Sequence, residues 1–481
     1  MNRQISQLFG VVAILFALLV AYTSRWTVFE AKSLENEPSN RRALIKEQRI
    51  PRGLIFARDG RTRLADNTSH GSGKTKTYSR TYPTNNLFSH TVGYSFISAG
   101  RSGLEKSRNS DLVGKEDEFA TIFSQLESRK REGSDVVSTL DPRAQQTALQ
   151  ALGGRPGSVV ALEPATGAVR VMASVPDFNP NEVPDKSKQL NRAPGSPLFN
   201  RATQGRYPPG STMKVVTAAA ALDSGKFNPN SVLDGSSPKT IGGVPLSNFG
   251  GTSYGPTNLT NALTHSINTV WAQVGEKLGK QTMADYMERF GFNRDPPLDY
   301  PSEQMTASGV FDNGRLILPT QAVDIGRVAI GQERLQVTPL QMAMVASAVA
   351  DDGKLMRPHL TDRVVRKDGR IKQRIEPDLF SRVMSKNASD QLAVMMTNVV
   401  KEGSGTAGAL SGIQVAGKTG TAEVGLNRQF TQPWFIAFAP VDKPKVAIAV
   451  TVEKTQGQGG TVAAPIAKQV LEVLLGKQAG G

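Results

Sequence analysis

At 481 residues the chain exceeds what one hydrophobic core usually organises, so two or more domains are expected. It contains no cysteine, which excludes disulfides, a thiol nucleophile and thiolate metal sites, and its four histidines, His70, His90, His265 and His359, fall in no metal-ligand spacing. The formal net charge of +15 points to an anionic neighbour, and the charge is unevenly spread along the chain.

The first predicted element is the stretch Ile5 to Tyr22, uncharged and largely apolar, between Arg3 and Arg25. Its length is close to the roughly 18 to 20 residues that span a bilayer. No small-x-small cleavage site follows, which favours an uncleaved anchor over a signal peptide removed after export. Arg3 on one side faces Arg25 and Lys32 on the other, so the flanking charges orient the segment weakly. From Arg41 to Arg80 eleven Lys or Arg stand against Glu47, Asp59 and Asp66. An exported, anchored domain does not normally meet nucleic acid, so the expected partner of this basic segment is an anionic membrane surface or envelope polymer; a merely solvated face is the alternative.

Residues Ser33 to Ser138 are polar, with short apolar runs and many Gly, Ser and Asn breaks, which predicts an irregular α+β module. "STLDPRAQQTALQAL", Ser138 to Leu152, reads as a helix entered through Asp141-Pro142, and "GGRPG" after it marks a boundary. The expected organisation is residues 1–25 as stub and anchor, 26–153 as the α+β module and 154–478 as the second domain. That domain opens with "GSVVALEPATGAVRVMAS", a hairpin pattern, and ends with a second hairpin, Trp434 to Ala439 and Lys445 to Glu453, followed by a helix across Ala463 to Leu475. Helical patterns fill the space between. Strands from both ends with helices between them predict one antiparallel sheet covered by helices, an α+β fold.

Three motifs carry chemistry. In "YPPGSTMKVVTAAAAL", Tyr207 to Leu222, the prolines and glycine resist helix and the apolar run favours it, so a buried helix begins at or next to Ser211. Residues three apart share a helix face, which brings the Lys214 amine within reach of the Ser211 hydroxyl, and burial favours the neutral amine that a general base requires. Ser-x-x-Lys alone is weak, since Ser236 and Lys239 repeat the spacing in a loop containing Pro238. "THSINT" offers Ser266 as a proton relay and Asn268 as an amide to grip a peptide backbone, though Ser107-Asn109 and Ser385-Asn387 show how common Ser-x-Asn is. "VAGKTGTAEV", Val415 to Val424, places Lys418, Thr419 and Thr421 along a predicted edge strand where Gly420 permits close approach.

The order of these motifs is more specific than any one of them, because Ser-x-x-Lys, Ser-x-Asn and Lys-Thr-Gly together mark penicillin-binding proteins and class A β-lactamases. The chain resembles a class B penicillin-binding protein, a monofunctional peptidoglycan D,D-transpeptidase. "RGLIFARDG" at Arg52 to Gly60 and "GRSGLEK" at Gly100 to Lys106 are similar to pieces of that family's non-catalytic N-terminal (dimerisation or pedestal) module. "PWFIAFAP" and "GGTVAAPIAKQV" are similar to its last strands and final helix. Ile267 stands in the middle of Ser-x-Asn, as this class allows.

The resemblance implies an antiparallel five-stranded sheet flanked by helices, no cofactor and no metal. It implies that Ser211 attacks the penultimate D-alanine of a stem pentapeptide, with Lys214 as base and Ser266 as relay. Backbone N–H groups of Ser211 and Thr421 would hold the oxyanion; Lys418, Thr419 and Thr421 would hold the substrate carboxylate, with Gly420 between them, and Asn268 would orient the peptide. β-Lactams would acylate the same serine. The implied setting is the extracytoplasmic side of a bacterial plasma membrane, beside a polytopic glycan polymerase and elongation or division proteins, with no nucleic acid. Three alternatives stand beside this reading: a serine β-lactamase, which lacks a Glu-x-x-Leu-Asn segment here; a D,D-carboxypeptidase, which differs only in using water; and a non-catalytic β-lactam sensor or scaffold.

Overall fold

The computed structural model describes residues 2–30, 45, 47–114, 132–425 and 429–476. Arg41, Arg42 and Lys46 of the basic segment lie outside the described residues. The apolar N-terminal stretch is one helix, Asn2–Ser24, with its side chains from Val11 to Thr23 exposed. The stretch Arg3–Thr27 is long and apolar enough to cross a membrane.

The central sheet of the second domain has the strand order Ala416–Val424, Phe430–Ala439, Val446–Val452, Gly157–Leu162, Val169–Val175. Every pairing is antiparallel. The two expected hairpins are therefore zipped together through Val446–Val452 and Gly157–Leu162, which join the beginning of the domain to its end. These strands read as near-continuous apolar runs because both faces of the sheet are covered. Val160, Met172, Ile436 and Ala449 belong to one core, and their neighbours Val159, Val171, Phe435 and Ile448 to another on the opposite face. Alternate side chains of a strand point to opposite faces, so one run of sequence feeds two cores.

The first core contains the helices Lys214–Asp223, Asn268–Arg289, Pro339–Ala350 and Lys386–Lys401. Nine of the ten residues of Lys214–Asp223 are buried, which explains why its sequence is apolar on nearly every side. The second core packs Pro142–Leu152 and Ala464–Leu474 against the sheet. Asp141 caps Pro142–Leu152 by accepting from the N–H groups of Arg143 and Ala144, both at 3.1 Å, and Gly153 ends it at φ +59°.

The N-terminal module is built on a six-stranded sheet with the order Ile371–Arg374, Thr361–Val365, Asp135–Ser138, Ile55–Phe56, Arg63–His70, Thr77–Thr81. Two of its strands come from far downstream in the chain. Val136 and Val137 of Asp135–Ser138 pair with Ile55 and Phe56 on one side and with Val364 and Arg363 on the other. The fragments "RGLIFARDG" and "GRSGLEK" meet inside this module: Arg52 Nε donates to Glu105 Oε2 at 2.8 Å, while Arg80 Nε donates to Glu105 Oε1. Glu105 is fully buried, and the two guanidinium groups hold its carboxyl below the usual carboxylate range against the opposing pull of burial.

Candidate active site

The turn that carries Ser211 is set by local rules and then clamped from outside. Pro208 and Pro209 hold the approach extended or turned, Gly210 adopts φ +52°, and Gly210–Met213 form one 3-10 turn that runs into Lys214–Asp223. The N–H of Gly210 donates to Gly331 O at 3.1 Å, and the Trp434 indole donates to Pro208 O at 3.0 Å. Tyr207 lies edge-on to Trp434 and donates its hydroxyl to Glu453 Oε1 at 2.6 Å, an oxygen that also accepts from Arg201 Nε at 2.7 Å. Trp434 and Glu453 sit on neighbouring strands of the central sheet or at their ends, so the sheet fixes the turn.

Ser266 occupies the short link between the helices Leu259–Thr264 and Asn268–Arg289. Its φ is +58°, a conformation that a residue with a Cβ adopts only at a cost. That geometry aims both its carbonyl and its hydroxyl at Lys214. Lys214 Nζ lies 2.7 Å from Ser266 O, 2.7 Å from Asn268 Oδ1 and 3.2 Å from Ser266 Oγ. Lys418 Nζ donates to the same Ser266 Oγ at 2.9 Å and to Thr419 O at 2.9 Å. Asn268 Nδ2 donates to Ser247 O at 3.0 Å, which holds its amide in one orientation.

Both lysines are fully buried. Burial, and secondarily the charge of Lys418, push Lys214 well below the usual lysine range. Burial alone brings Lys418 down to about 7. A neutral Lys214 has two N–H bonds and one lone pair. The two short contacts, to Ser266 O and Asn268 Oδ1, accept the two N–H bonds and leave the lone pair for a proton from a hydroxyl. Lys418 donates to Ser266 Oγ, so the hydrogen of Ser266 is free to point at that lone pair.

The strand Ala416–Val424 is the outer strand of the sheet and passes directly beside the Ser211 turn. A Cβ placed at Gly420 would stand 2.6 Å from Pro209 O and 2.9 Å from the Thr212 methyl, so this position tolerates only glycine if the strand is to approach so closely. Gly210 is equally tight against the strand, its would-be Cβ 2.9 Å from Thr421 O. The flanking threonines are engaged from the other side. Thr419 Oγ1 contacts Ser404 Oγ, and Thr421 Oγ1 accepts from the N–H of Gly459 at 3.1 Å.

Lys214, Ser266, Asn268 and Lys418 thus form one hydrogen-bonded cluster, with Ser211 on the adjoining turn and Thr419, Gly420 and Thr421 along the strand beside it. The lookalike motifs serve other ends. Ser236 and Lys239 both bind Asp234, Asn109 accepts from Arg52 Nη1 at 2.6 Å, and Ser385 caps Lys386–Lys401. Tyr207, Trp434, Glu453, Gly459 and Ser404 stand around the site without having been marked as part of it. Trp434 and Gly459 fall inside segments that resemble the family's last strands and final helix, and that was their one signal in the sequence.

Residues 157–472 match the penicillin binding protein transpeptidase domain and residues 52–136 the penicillin binding protein A dimerisation domain. The peptidoglycan D,D-transpeptidase PbpA of Mycolicibacterium smegmatis is 33% identical over 506 residues, covering 99% of each chain. The ceftriaxone acyl-enzyme complex of penicillin-binding protein A from Mycobacterium tuberculosis superposes with a TM-score of 0.79 at 31% identity, covering 90% of this chain and 100% of that one. The D,D-transpeptidase domain of a peptidoglycan glycosyltransferase from Eggerthella lenta gives a TM-score of 0.77 at 33% identity, over 89% of this chain and 98% of that one. Sequence and fold agree over nearly the whole length, and the chain belongs to the penicillin-binding protein family of peptidoglycan D,D-transpeptidases.

Proposed function

We propose that Ser211 is the nucleophile of this transpeptidase and Lys214 its base. The observation that carries the proposal is the continuous contact from Lys214 through Ser266 Oγ to Lys418. Ser211 Oγ gives its proton to the lone pair of Lys214 and forms a bond to the carbonyl carbon of the penultimate D-alanine. The N–H groups of Ser211 and Thr421 receive the developing oxyanion. As the C–N bond breaks, the proton passes from Lys214 through Ser266 to the leaving amine, and the terminal D-alanine departs. An amine of a second stem peptide then attacks the acyl-serine; its proton returns to Ser211 by the same relay and the cross-link is complete.

The charged form of Lys418, with the Thr419 and Thr421 hydroxyls, binds the substrate carboxylate. Thr421 Oγ1 accepts from Gly459, so its own hydrogen remains available to the carboxylate. Asn268 orients the donor peptide. A β-lactam carries a carboxylate and a reactive amide in the same relation and acylates Ser211 in place of the peptide. The helix Asn2–Ser24 anchors the chain in the bacterial plasma membrane with everything after it on the extracytoplasmic side, where the substrate is. The module spanning 26–153 serves as a non-catalytic pedestal for the domain at 154–478, and is the surface on which a polytopic glycan polymerase and elongation or division proteins would dock.

Covalent labelling with a fluorescent penicillin tests the chemistry. The wild type is expected to hold the label for hours by intact mass, and Ser211→Ala to take none while keeping its thermal transition. Failure of the folded wild type to label would overturn the assignment; rapid loss of label would point to a β-lactamase.

A further inference from the structure

The N-terminal module holds a buried cluster of charge that does not balance among the described residues. Arg52, Arg80 and Arg101 line one cavity of about 80 Å³ together with Glu47, the one carboxylate among its described lining residues. Glu105, behind them, binds Arg52 and Arg80, and Glu47 binds Arg101, with Arg52 at 3.8 Å. Among the described residues, three guanidinium groups therefore face two carboxylates. The side chains of Arg80 and Arg52 are 2% and 9% exposed, so water does little to offset the surplus. Arg80 Nη2 is buried with no hydrogen-bond partner among the described residues. Burial, and then the neighbouring charge of Arg52, hold Arg101 below the usual arginine range against the opposing pull of Glu47 and Glu105.

We infer that this cavity is a binding site for one oxyanion, a carboxylate or a phosphate, held by Arg80 and Arg101 in the pedestal module. A cavity of about 80 Å³ has room for such a group. Guanidinium forks match planar and tetrahedral oxyanions by paired N–H donors, and three such groups line this cavity. None of the lining residues belongs to the stretch matched by the transpeptidase domain.

The test uses full-length protein in phosphatidylcholine nanodiscs, titrated calorimetrically with inorganic phosphate and with acetate at constant ionic strength. Saturable binding of one anion per chain is expected, weakened at least about tenfold in Arg101→Gln. Glu47→Gln removes the competing carboxylate and is expected to tighten binding by a similar factor, a gain that loss of stability alone cannot produce. Penicillin labelling of both variants is expected to stay at the wild-type level and reports that they are folded. Absence of saturation in labelled wild type would overturn the inference, as would binding that survives Arg101→Gln or is indifferent to Glu47→Gln. Nanodiscs containing phosphatidylglycerol separate the sources: a lipid phosphate already in the site would abolish the phosphate response, whereas a soluble anion would bind equally in both membranes.

Discussion

Lys214 and Lys418 share one hydroxyl, that of Ser266, and their protonation states must differ for the site to act. On the proposed mechanism, acylation needs Lys214 neutral and Lys418 charged. Burial, and secondarily the charge of Lys418, depress Lys214 well below the usual lysine range and so favour its neutral form, while Lys418 in the free enzyme loses its proton as pH rises through about 7. The second-order rate constant for penicillin acylation is therefore expected to fall on the alkaline side of that value. Lys418→Arg keeps the charge and is expected to move this limb up by about two pH units or more, at some cost in rate, because arginine does not titrate there. The same burial affects stability with a definite sign. An unfolded chain holds its lysine protons to about 10.4, so between about 7 and that value the unfolded state binds more protons and folding stability rises with pH. Lys418→Met is expected to flatten this rise, to raise folding stability near neutrality by an amount on the order of 1 kcal/mol, and to abolish acylation. Thermal unfolding across the pH range, run beside penicillin labelling, measures both effects.

Two elements must touch for these residues to meet: the turn at Ser211 and the outer strand Ala416–Val424. Their contact depends on Gly420, where an added methyl would stand 2.6 Å from Pro209 O. Gly420→Ala is expected to push the strand off the turn and to lower the acylation rate by about a hundredfold, since the proposed oxyanion donors lie on both elements. Trp434 acts on the other side of the turn. Trp434→Phe retains the ring that packs against Tyr207 but removes the N–H donated to Pro208 O. It is expected to cost about 1 kcal/mol of stability and to slow acylation more than it weakens initial binding, a split that stopped-flow kinetics with a chromogenic β-lactam resolves. The helix starts were legible beforehand because their signals are local: Asp141-Pro142 for one, Pro-Pro-Gly before Ser211 for another. Trp434 and Glu453 were not, because a hydrogen bond to a residue more than two hundred positions earlier leaves no local pattern.

At the scale of the molecule, the N-terminal module and the transpeptidase domain are interleaved rather than strung in series. Thr361–Val365 and Ile371–Arg374, from within the stretch matched to the transpeptidase domain, complete the sheet of the N-terminal module. Arg108 bridges to Asp299 at 3.0 Å, and Asp299 in turn accepts from the N–H groups of Leu360 and Thr361. Residues 154–478 expressed alone would leave the edge of Thr361–Val365 unpaired, and are expected to aggregate where residues 45–478 remain monodisperse by light scattering. Monodisperse behaviour of the shorter piece would show that the shared sheet contributes little.

What the sequence determined by itself was the chemistry and the kind of fold. Ser211-x-x-Lys214, Ser266-x-Asn268 and Lys418-Thr419-Gly420 are short, ordered and tied to a reaction, while the two hairpins and the buried helix follow from alternation and apolar runs read over a few residues. The tertiary structure alone decided which groups touch. It turned Lys214 toward Ser266 and Asn268, put Ser266 in a left-handed conformation and set Thr419 and Thr421 against Ser404 and Gly459. It also carried two downstream strands into the first module and gathered Arg52, Arg80 and Arg101 around one cavity. The physical reason is the same in each case: these are contacts between segments distant in the chain, set by how sheets and helices pack, and no local preference of the residues encodes them.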